Sequence, residues 1–151
     1  MNKKKKDLPF WKKKTLHELT RDEWEVLCSG CAKCCLKKYE EEETGHLYYT
    51  RIVCRYLDTE TCRCTQYDRR TRLVPQCLKL EPHHLKALSW LPKSCVYRRV
   101  SLGKDLEWWH PLISGNRHTV HEAGMSVRGR VLSEKYVHPD GWEEHIIDWV
   151  E

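Results

Sequence analysis

The sequence has few of the residues that usually build a hydrophobic core. It contains one Phe and two Met among 151 residues, 32% of which are charged, and the mean hydropathy is −0.75. No segment approaches the roughly 18 consecutive apolar residues of a membrane span, and no apolar stretch of a secretory signal follows the charged start. We therefore expect a cytoplasmic protein with no membrane partner, in which seven Trp and seven Tyr supply much of the buried area.

The excess of positive charge is confined to the N-terminus. The formal net charge is +5, but residues 1–14 contain seven Lys and one Asp, which leaves 20 basic and 21 acidic residues in the remainder. We predict that residues 1–14 form a flexible basic arm and that residues 15–151 form a single cysteine-rich domain. Binding of nucleic acid by such an arm would be electrostatic, so no sequence-specific nucleic-acid partner is expected.

Cysteine is the residue type present in excess. Four cysteines lie in one Cys-x2-Cys-x2-Cys-Cys stretch, and the full set of nine is Cys28, Cys31, Cys34, Cys35, Cys54, Cys62, Cys64, Cys77 and Cys95. A reducing cytoplasm disfavours disulfides, and an odd number disfavours a fully paired framework. Thiolates at this spacing are typical ligands of zinc and iron, so all nine are candidate metal ligands.

The spacing allows one metal ion or two. The overlapping Cys-x2-Cys steps can supply three ligands, and a fourth would come from Cys54, Cys64 or Cys77. Adjacent side chains point in different directions, so Cys34 and Cys35 fit two neighbouring ions, or one ligand and one spare thiol, better than a single ion. An iron–sulfur cluster is the alternative, because the first three cysteines match the bacterial ferredoxin run, although a lysine occupies its fourth position.

Basic residues are interleaved with the cysteines. Four thiolates around one divalent ion leave a net charge of −2, which nearby cations can neutralise. The candidates are Lys33, Lys37, Lys38, Arg51, Arg55, Arg63, Arg69, Arg70 and Arg72. Further along, Arg128 and Arg130 are predicted on one face of a strand, either as an anion site or as ion-pair partners of the C-terminal segment.

The pattern of apolar and turn residues indicates an α+β fold with short helices, a small β-sheet or hairpin and a loop-rich cysteine half. Thr20 and Glu23 form a capping-box pattern that predicts a helix start within residues 15–27. The stretch Trp108–Pro111 is predicted to lie in the core, and a partner-binding aromatic patch is the alternative. The predicted elements are helices at 15–27, 82–88, 118–123 and 140–150, strands at 47–53 and 126–132, and a turn at 58–61 between Cys54 and Cys62.

The cysteine pattern and several later motifs resemble the YcgN-type bacterial family, which is related to the YkgJ-type CxxCxxCC zinc- or iron-chelating domain. The resemblance is carried by Cys28–Cys35, Cys54–Asp58, Thr61–Tyr67, Val74–Cys77, Trp90–Arg98, Trp108–Leu112 and Val120–Arg130. It implies a shared ligand set, to which Cys62 and Cys95 are additions: Cys28, Cys31, Cys34, Cys35, Cys54, Cys64 and Cys77. It implies metal chelation and supplies no reaction.

Three functional hypotheses follow. The first is a chelator of zinc or iron whose cysteine-rich half binds one or two ions. The second is an enzyme or redox protein with an iron–sulfur centre or zinc thiolate, in which Cys35 or Cys95 is the non-ligand thiol; flagellin lysine methylases carry a similar cysteine signature. The third is a module stabilised by metal that binds a protein partner.

Overall fold

The computed structural model describes residues 8–77 and 91–150. Within these residues, short helices accompany a three-stranded sheet and a two-stranded hairpin, which confirms the predicted α+β class. The described residues fall into two compact units, one of residues 8–29 and 91–123 and one of residues 30–77 and 124–150. No helix in this part of the chain is both long enough and apolar enough to cross a membrane.

The helices and strands are short. The α-helices are α1 (Phe10–Lys13), α2 (Arg21–Leu27), α3 (Arg70–Leu73), α4 (Val96–Ser101), α5 (Pro111–Ser114) and α6 (Thr119–Glu122). The 3₁₀ helices are Leu16–Glu18, Lys33–Cys35, Tyr67–Arg69, Glu134–Tyr136 and Pro139–His145. The strands are β1 (Leu36–Glu40), β2 (Leu47–Val53), β3 (Leu57–Asp58), β4 (Arg63–Cys64) and β5 (Leu132–Ser133).

The start of α2 is fixed by the predicted capping box. The Glu23 N–H donates to the Thr20 hydroxyl at 3.1 Å, and the Thr20 N–H donates to the Glu23 carboxylate at 2.9 Å. These bonds satisfy backbone donors that the first helical turn leaves unpaired. The helix therefore begins at a defined residue and turns Trp24 and Leu27 into the interior.

Aromatic and aliphatic side chains form the core of the first unit. The Trp24 and Tyr97 rings stack with centroids 4.5 Å apart, and the Tyr97 hydroxyl donates to the Trp24 carbonyl at 2.6 Å. Phe10 and Trp11 of α1 pack against the same cluster, as does Cys95. Aromatic residues near the N-terminus thus contribute to this core.

His110 is a buried polar member of the first unit. Its Nδ1 accepts the Leu112 N–H at 3.0 Å, so Nε2, which lies 2.7 Å from the Leu27 carbonyl, carries the proton and donates to it. Burial lowers the pKa of His110. The predicted core position holds for Trp109 and His110, whereas Trp108 is 63% exposed.

The core of the second unit lies on the three-stranded sheet, in which β2 is central. β1 pairs with it antiparallel and β5 pairs with it parallel. Ile52 and Val53 are fully buried on β2. A cluster around Val53 includes Leu36, Leu57, Cys62 and Val127, so it joins the ends of β1, β2 and β3 to the turn that precedes β5.

Two predictions of secondary structure are wrong. Most of residues 126–132 form a turn rather than a strand, because Gly129 has φ +76° and the Arg130 N–H bonds to the Val127 carbonyl at 3.0 Å. The C-terminal segment is not an α-helix: a 3₁₀ helix ends at His145, and the Ile147 N–H then donates to the Tyr49 carbonyl of β2 at 2.9 Å. β-branched residues at 146 and 147 favour this extended pairing. The helix predicted at 82–88 lies outside the described residues.

Replacing the cap tests the start of α2. Thr20→Ala removes the hydroxyl acceptor, and we expect the free energy of unfolding to fall by about 1 kcal/mol, measured by urea denaturation. Thr20→Ser keeps the acceptor and should stay close to the wild type. Equal losses in the two variants would show that the hydroxyl does not cap the helix.

The tautomer of His110 predicts a pH dependence of stability. A histidine with a lowered pKa in the folded state stabilises the fold above its ordinary pKa of 6.5, and this contribution is lost as the pH falls through the folded-state value. Between about pH 8 and about pH 5, the free energy of unfolding should fall more for the wild type than for His110→Gln. Equal falls in urea unfolding would contradict a buried neutral imidazole.

Candidate metal centre

The nine cysteines are divided between the two units. Cys28 and Cys95 belong to the first unit, where Cys28 follows α2 and is exposed, and Cys95 precedes α4. The second unit holds the other seven, namely Cys31, Cys34, Cys35, Cys54, Cys62, Cys64 and Cys77. Most of the candidate metal ligands therefore lie in the second unit.

The Cys-x2-Cys-Cys loop is shaped by two left-handed residues. Gly30 has φ +80° and Ala32 has φ +62°, so the chain reverses on both sides of Cys31. The Cys31 carbonyl accepts the Val127 N–H at 3.0 Å, and the Cys35 N–H donates to the Ala32 carbonyl at 3.0 Å. These bonds fix the loop and lead into β1.

Strand pairing brings distant cysteines together. The Cys54 N–H donates to the Cys35 carbonyl at 3.2 Å, next to the Leu36–Val53 pair of β1 and β2. The Leu57 N–H donates to the Cys54 carbonyl at 3.0 Å, and Leu57 is paired with Cys64 in the β3–β4 hairpin. The predicted hairpin is confirmed, and it places Cys54 and Cys64 beside the end of the cysteine loop.

Cys77 joins these residues from a fourth segment. Its N–H donates to the Val74 carbonyl at 2.9 Å, just after α3. Burial raises the pKa of Cys77, and the neighbouring Cys34, Cys54 and Cys64 thiols raise it further through charge repulsion between thiolates, whereas Arg70 opposes the shift. Cys34, Cys54 and Cys64 thus each influence the pKa of Cys77, and we call these four residues the four-thiol cluster.

The adjacent residues Cys34 and Cys35 interact with each other. A hydrogen bond between the two thiols raises the pKa of Cys34, and repulsion from Cys35 adds to it, whereas the Lys38 ammonium favours the thiolate. Cys34 is exposed, and Cys35 packs against the core of the second unit. The two side chains thus have different surroundings, as expected for neighbours on the chain.

Cys62 differs from the cluster. It is 5% exposed, has a left-handed backbone with φ +58°, and packs in the core of the second unit. Burial raises the pKa of Cys62, and a hydrogen bond with Ser126 opposes that shift. A buried thiol of this kind behaves as a small apolar side chain.

The donor set of the cluster fits a soft or borderline ion, because four thiols and one divalent ion make a tetrahedral thiolate site. Across residues 8–77 and 91–150, no three His, Cys, Asp or Glu side chains are arranged closely enough to hold an ion as they stand. Coordination of an ion by the four-thiol cluster therefore requires its side chains to move closer together.

The two arginines predicted on one strand face lie in the turn before β5. The Arg128 Nε donates to the Glu60 carbonyl. The Arg130 guanidinium lies over the Trp149 ring, 5.0 Å from its centroid. The prediction of a shared strand face is wrong, and each arginine has a separate partner.

The burial of Cys62 predicts slow chemical modification. In the folded protein, iodoacetamide should modify Cys62 slowly because alkylation needs an accessible thiolate. In urea the same residue should react quickly, which serves as the control. Peptide mass spectrometry that found equal rates in the two conditions would contradict the buried position.

The chain is similar in sequence to one family model and to several known proteins. Residues 27–96 match a family model described as "CxxCxxCC: Putative zinc- or iron-chelating domain". The chain is 55% identical over 142 residues to a UPF0260 protein of Granulibacter bethesdensis, which covers 94% of this chain and 84% of that protein. It is 53% identical over 141 residues to a UPF0260 protein of Rhodopseudomonas palustris strain HaA2, covering 93% and 83%.

A further UPF0260 protein, from Rhizobium leguminosarum bv. trifolii, is 50% identical over 143 residues, covering 95% of this chain and 89% of that protein. No solved structure matches the chain. Identity at this level extends well beyond the cysteines, and it agrees with the YcgN-type resemblance. The chain therefore belongs to the UPF0260 family, and its residues 27–96 match the CxxCxxCC domain model.

Proposed function

We propose that this protein is a cytoplasmic chelator of zinc or iron, and that the four-thiol cluster of Cys34, Cys54, Cys64 and Cys77 holds the ion. The proposal is supported by one observation above all. The four thiols come from separate segments of the second unit, which backbone hydrogen bonds bring together in part, and three of them influence the pKa of the fourth. Cysteines kept only for packing would have no reason to come from four separate segments to one part of the unit.

The properties of the thiols support a cluster that is completed by metal. Thiols with a raised pKa, as at Cys34 and Cys77, are protonated at neutral pH in the metal-free protein. An ion displaces these protons because only thiolates act as ligands. Each thiolate is then attracted to the shared cation, and this attraction offsets the repulsion between neighbouring thiolates.

Metal binding would also stabilise the second unit. A structural zinc site contributes about 10–16 kcal/mol in zinc-finger peptides, whereas a whole domain has a net stability of about 5–15 kcal/mol. One ion would tie the cysteine loop, the β3–β4 hairpin and the segment after α3 together. We expect chelation of the metal to destabilise this unit in particular.

The remaining cysteines take different roles in the proposal. Cys62 and Cys95 pack against apolar cores, and they are the two additions to the shared family set, so we assign them as non-ligands. Cys28, Cys31 and Cys35 remain candidates for a second ion or for a bridging thiolate. An iron–sulfur cluster would use the same sulfurs, and a visible sulfur-to-iron charge-transfer band would identify it.

Elemental analysis of variants tests the assignment. Cys54→Ser and Cys77→Ser should lose most of the bound zinc or iron after anaerobic purification, because each removes one ligand of the cluster. Cys62→Ala and Cys95→Ala are matched controls, which should keep the metal and lose about 1 kcal/mol of stability from lost packing. Full metal content in both serine variants would overturn the proposed cluster.

A further inference from the structure

We propose that a cleft in the first unit binds a small organic acid, a molecule with a flat apolar group and one carboxylate or phosphate group. The cleft has a volume of about 590 Å³, which lies within the usual range of small-molecule sites. Its two walls come from residues 11–17 and residues 100–105. None of the described residues that line it is a cysteine, so the inference does not depend on the proposed metal centre.

Asp105 fastens the two walls to each other. Its Oδ1 accepts the Trp11 indole N–H at 3.0 Å and the Leu106 N–H at 2.7 Å. Its Oδ2 pairs with the Lys12 ammonium at 2.8 Å. Asp105 is the only acidic residue among the described residues that line the cleft, and its negative charge is already matched by these three donors.

The end of α4 fixes the wall of residues 100–105. Gly103 has φ +75°, and its N–H donates to the Val100 carbonyl at 3.0 Å. The Lys104 N–H donates to the Arg99 carbonyl at 3.0 Å. This is the Schellman pattern, in which the chain after a helix satisfies the last helical carbonyls. Lys104 is therefore held at a defined position beside the cleft.

Bonds between Thr15 and Glu18 fix the opposite wall. The Thr15 N–H and hydroxyl donate to the Glu18 Oε1 at 3.1 and 3.0 Å, and the Glu18 N–H donates to the Thr15 carbonyl at 3.0 Å. The short 3₁₀ helix that follows Thr15 buries Leu16 and leaves His17 exposed. A site with both walls fixed has little conformational freedom to lose when a ligand binds.

The apolar side of the cleft belongs to the core of the first unit. Leu16 is a buried member of that core, and Trp11 and Val100 pack against it. All three residues also line the cleft. An apolar group of a ligand would extend this packing, and a flat group suits the indole ring of Trp11 because aromatic rings pack well in offset stacks.

Positive charge exceeds negative charge along the cleft, since three lysines line it, namely Lys12, Lys14 and Lys104. Lys12 pairs with Asp105 at 2.8 Å, and Lys14 pairs with Glu23 at 2.7 Å. Among residues 8–77 and 91–150, Lys104 has no carboxylate partner. Its ammonium is therefore the group that can pair with the acid group of a ligand.

A titration followed by nuclear magnetic resonance tests the cleft in the isotope-labelled, full-length protein. Benzoate and phenyl phosphate are the probes, and each should cause saturable shifts centred on the Trp11 indole N–H and the amides of residues 101–105. The tighter of the two identifies the preferred acid group as a carboxylate or a phosphate. Benzamide has the same ring without the charge, and it should bind at least about threefold more weakly than benzoate.

Variants of Lys104 test the role of its charge. Lys104→Gln should bind benzoate at least about threefold more weakly than the wild type, whereas Lys104→Arg keeps the charge and should keep most of the affinity. Lys13→Gln is the matched control and should bind as the wild type does, because Lys13 is an exposed residue of α1 that does not line the cleft. Urea unfolding verifies that each variant is folded.

The inference fails if neither probe gives saturable shifts, or if the shifts centre on another part of the chain. Equal affinities for benzoate and benzamide would also overturn it, as would equal losses in Lys104→Gln and Lys13→Gln. The metal content of the wild-type protein tests the proposed function separately, so the failure of one proposal leaves the other standing.

Discussion

The pairing of β1 with β2 is the interaction on which the arrangement of the cysteines depends. It sets the Cys35 carbonyl against the Cys54 N–H at 3.2 Å, and the β3–β4 hairpin that follows carries Cys64 back to the same place. Without this register, the cysteine loop and the hairpin would present their thiols in unrelated positions. Backbone hydrogen bonds between the strands, rather than contacts between thiols, therefore determine which cysteine residues lie near one another.

Two cores of different character accompany this arrangement. The first unit has an aromatic core around the stacked Trp24 and Tyr97 rings, fixed by a capped helix. The second has a mainly aliphatic cluster around Val53 and most of the cysteines. The chain thus relies on ordinary packing in one unit, and in our proposal it relies on metal coordination in the other.

Local signals in the sequence predict part of the fold. The capping box at Thr20 and the β-branched and aromatic run of β2 are strong because each is complete within a few residues. The sequence does not predict β1, because Lys37 and Lys38 leave it without alternating apolar residues. This strand forms because it pairs with β2. The end of the chain was predicted as a helix because its apolar spacing fits one, but Ile147 instead bonds to β2.

The candidate site, like the fold, could be predicted from the sequence only in part. The spacing of the cysteines predicts thiolate chemistry, because Cys-x2-Cys steps are typical of zinc and iron ligands. It does not separate Cys62 from the others, since only the fold shows that this thiol is buried in the core.

Extended X-ray absorption fine structure of the bound metal, which measures the type and distance of its ligand atoms, tests the central claim most directly. For a single zinc ion in the four-thiol cluster, the account predicts a first shell of sulfur alone, at about 2.3 Å. A first shell made mainly of nitrogen or oxygen would contradict it, because the thiols that the strand pairing gathers would then not be the ligands.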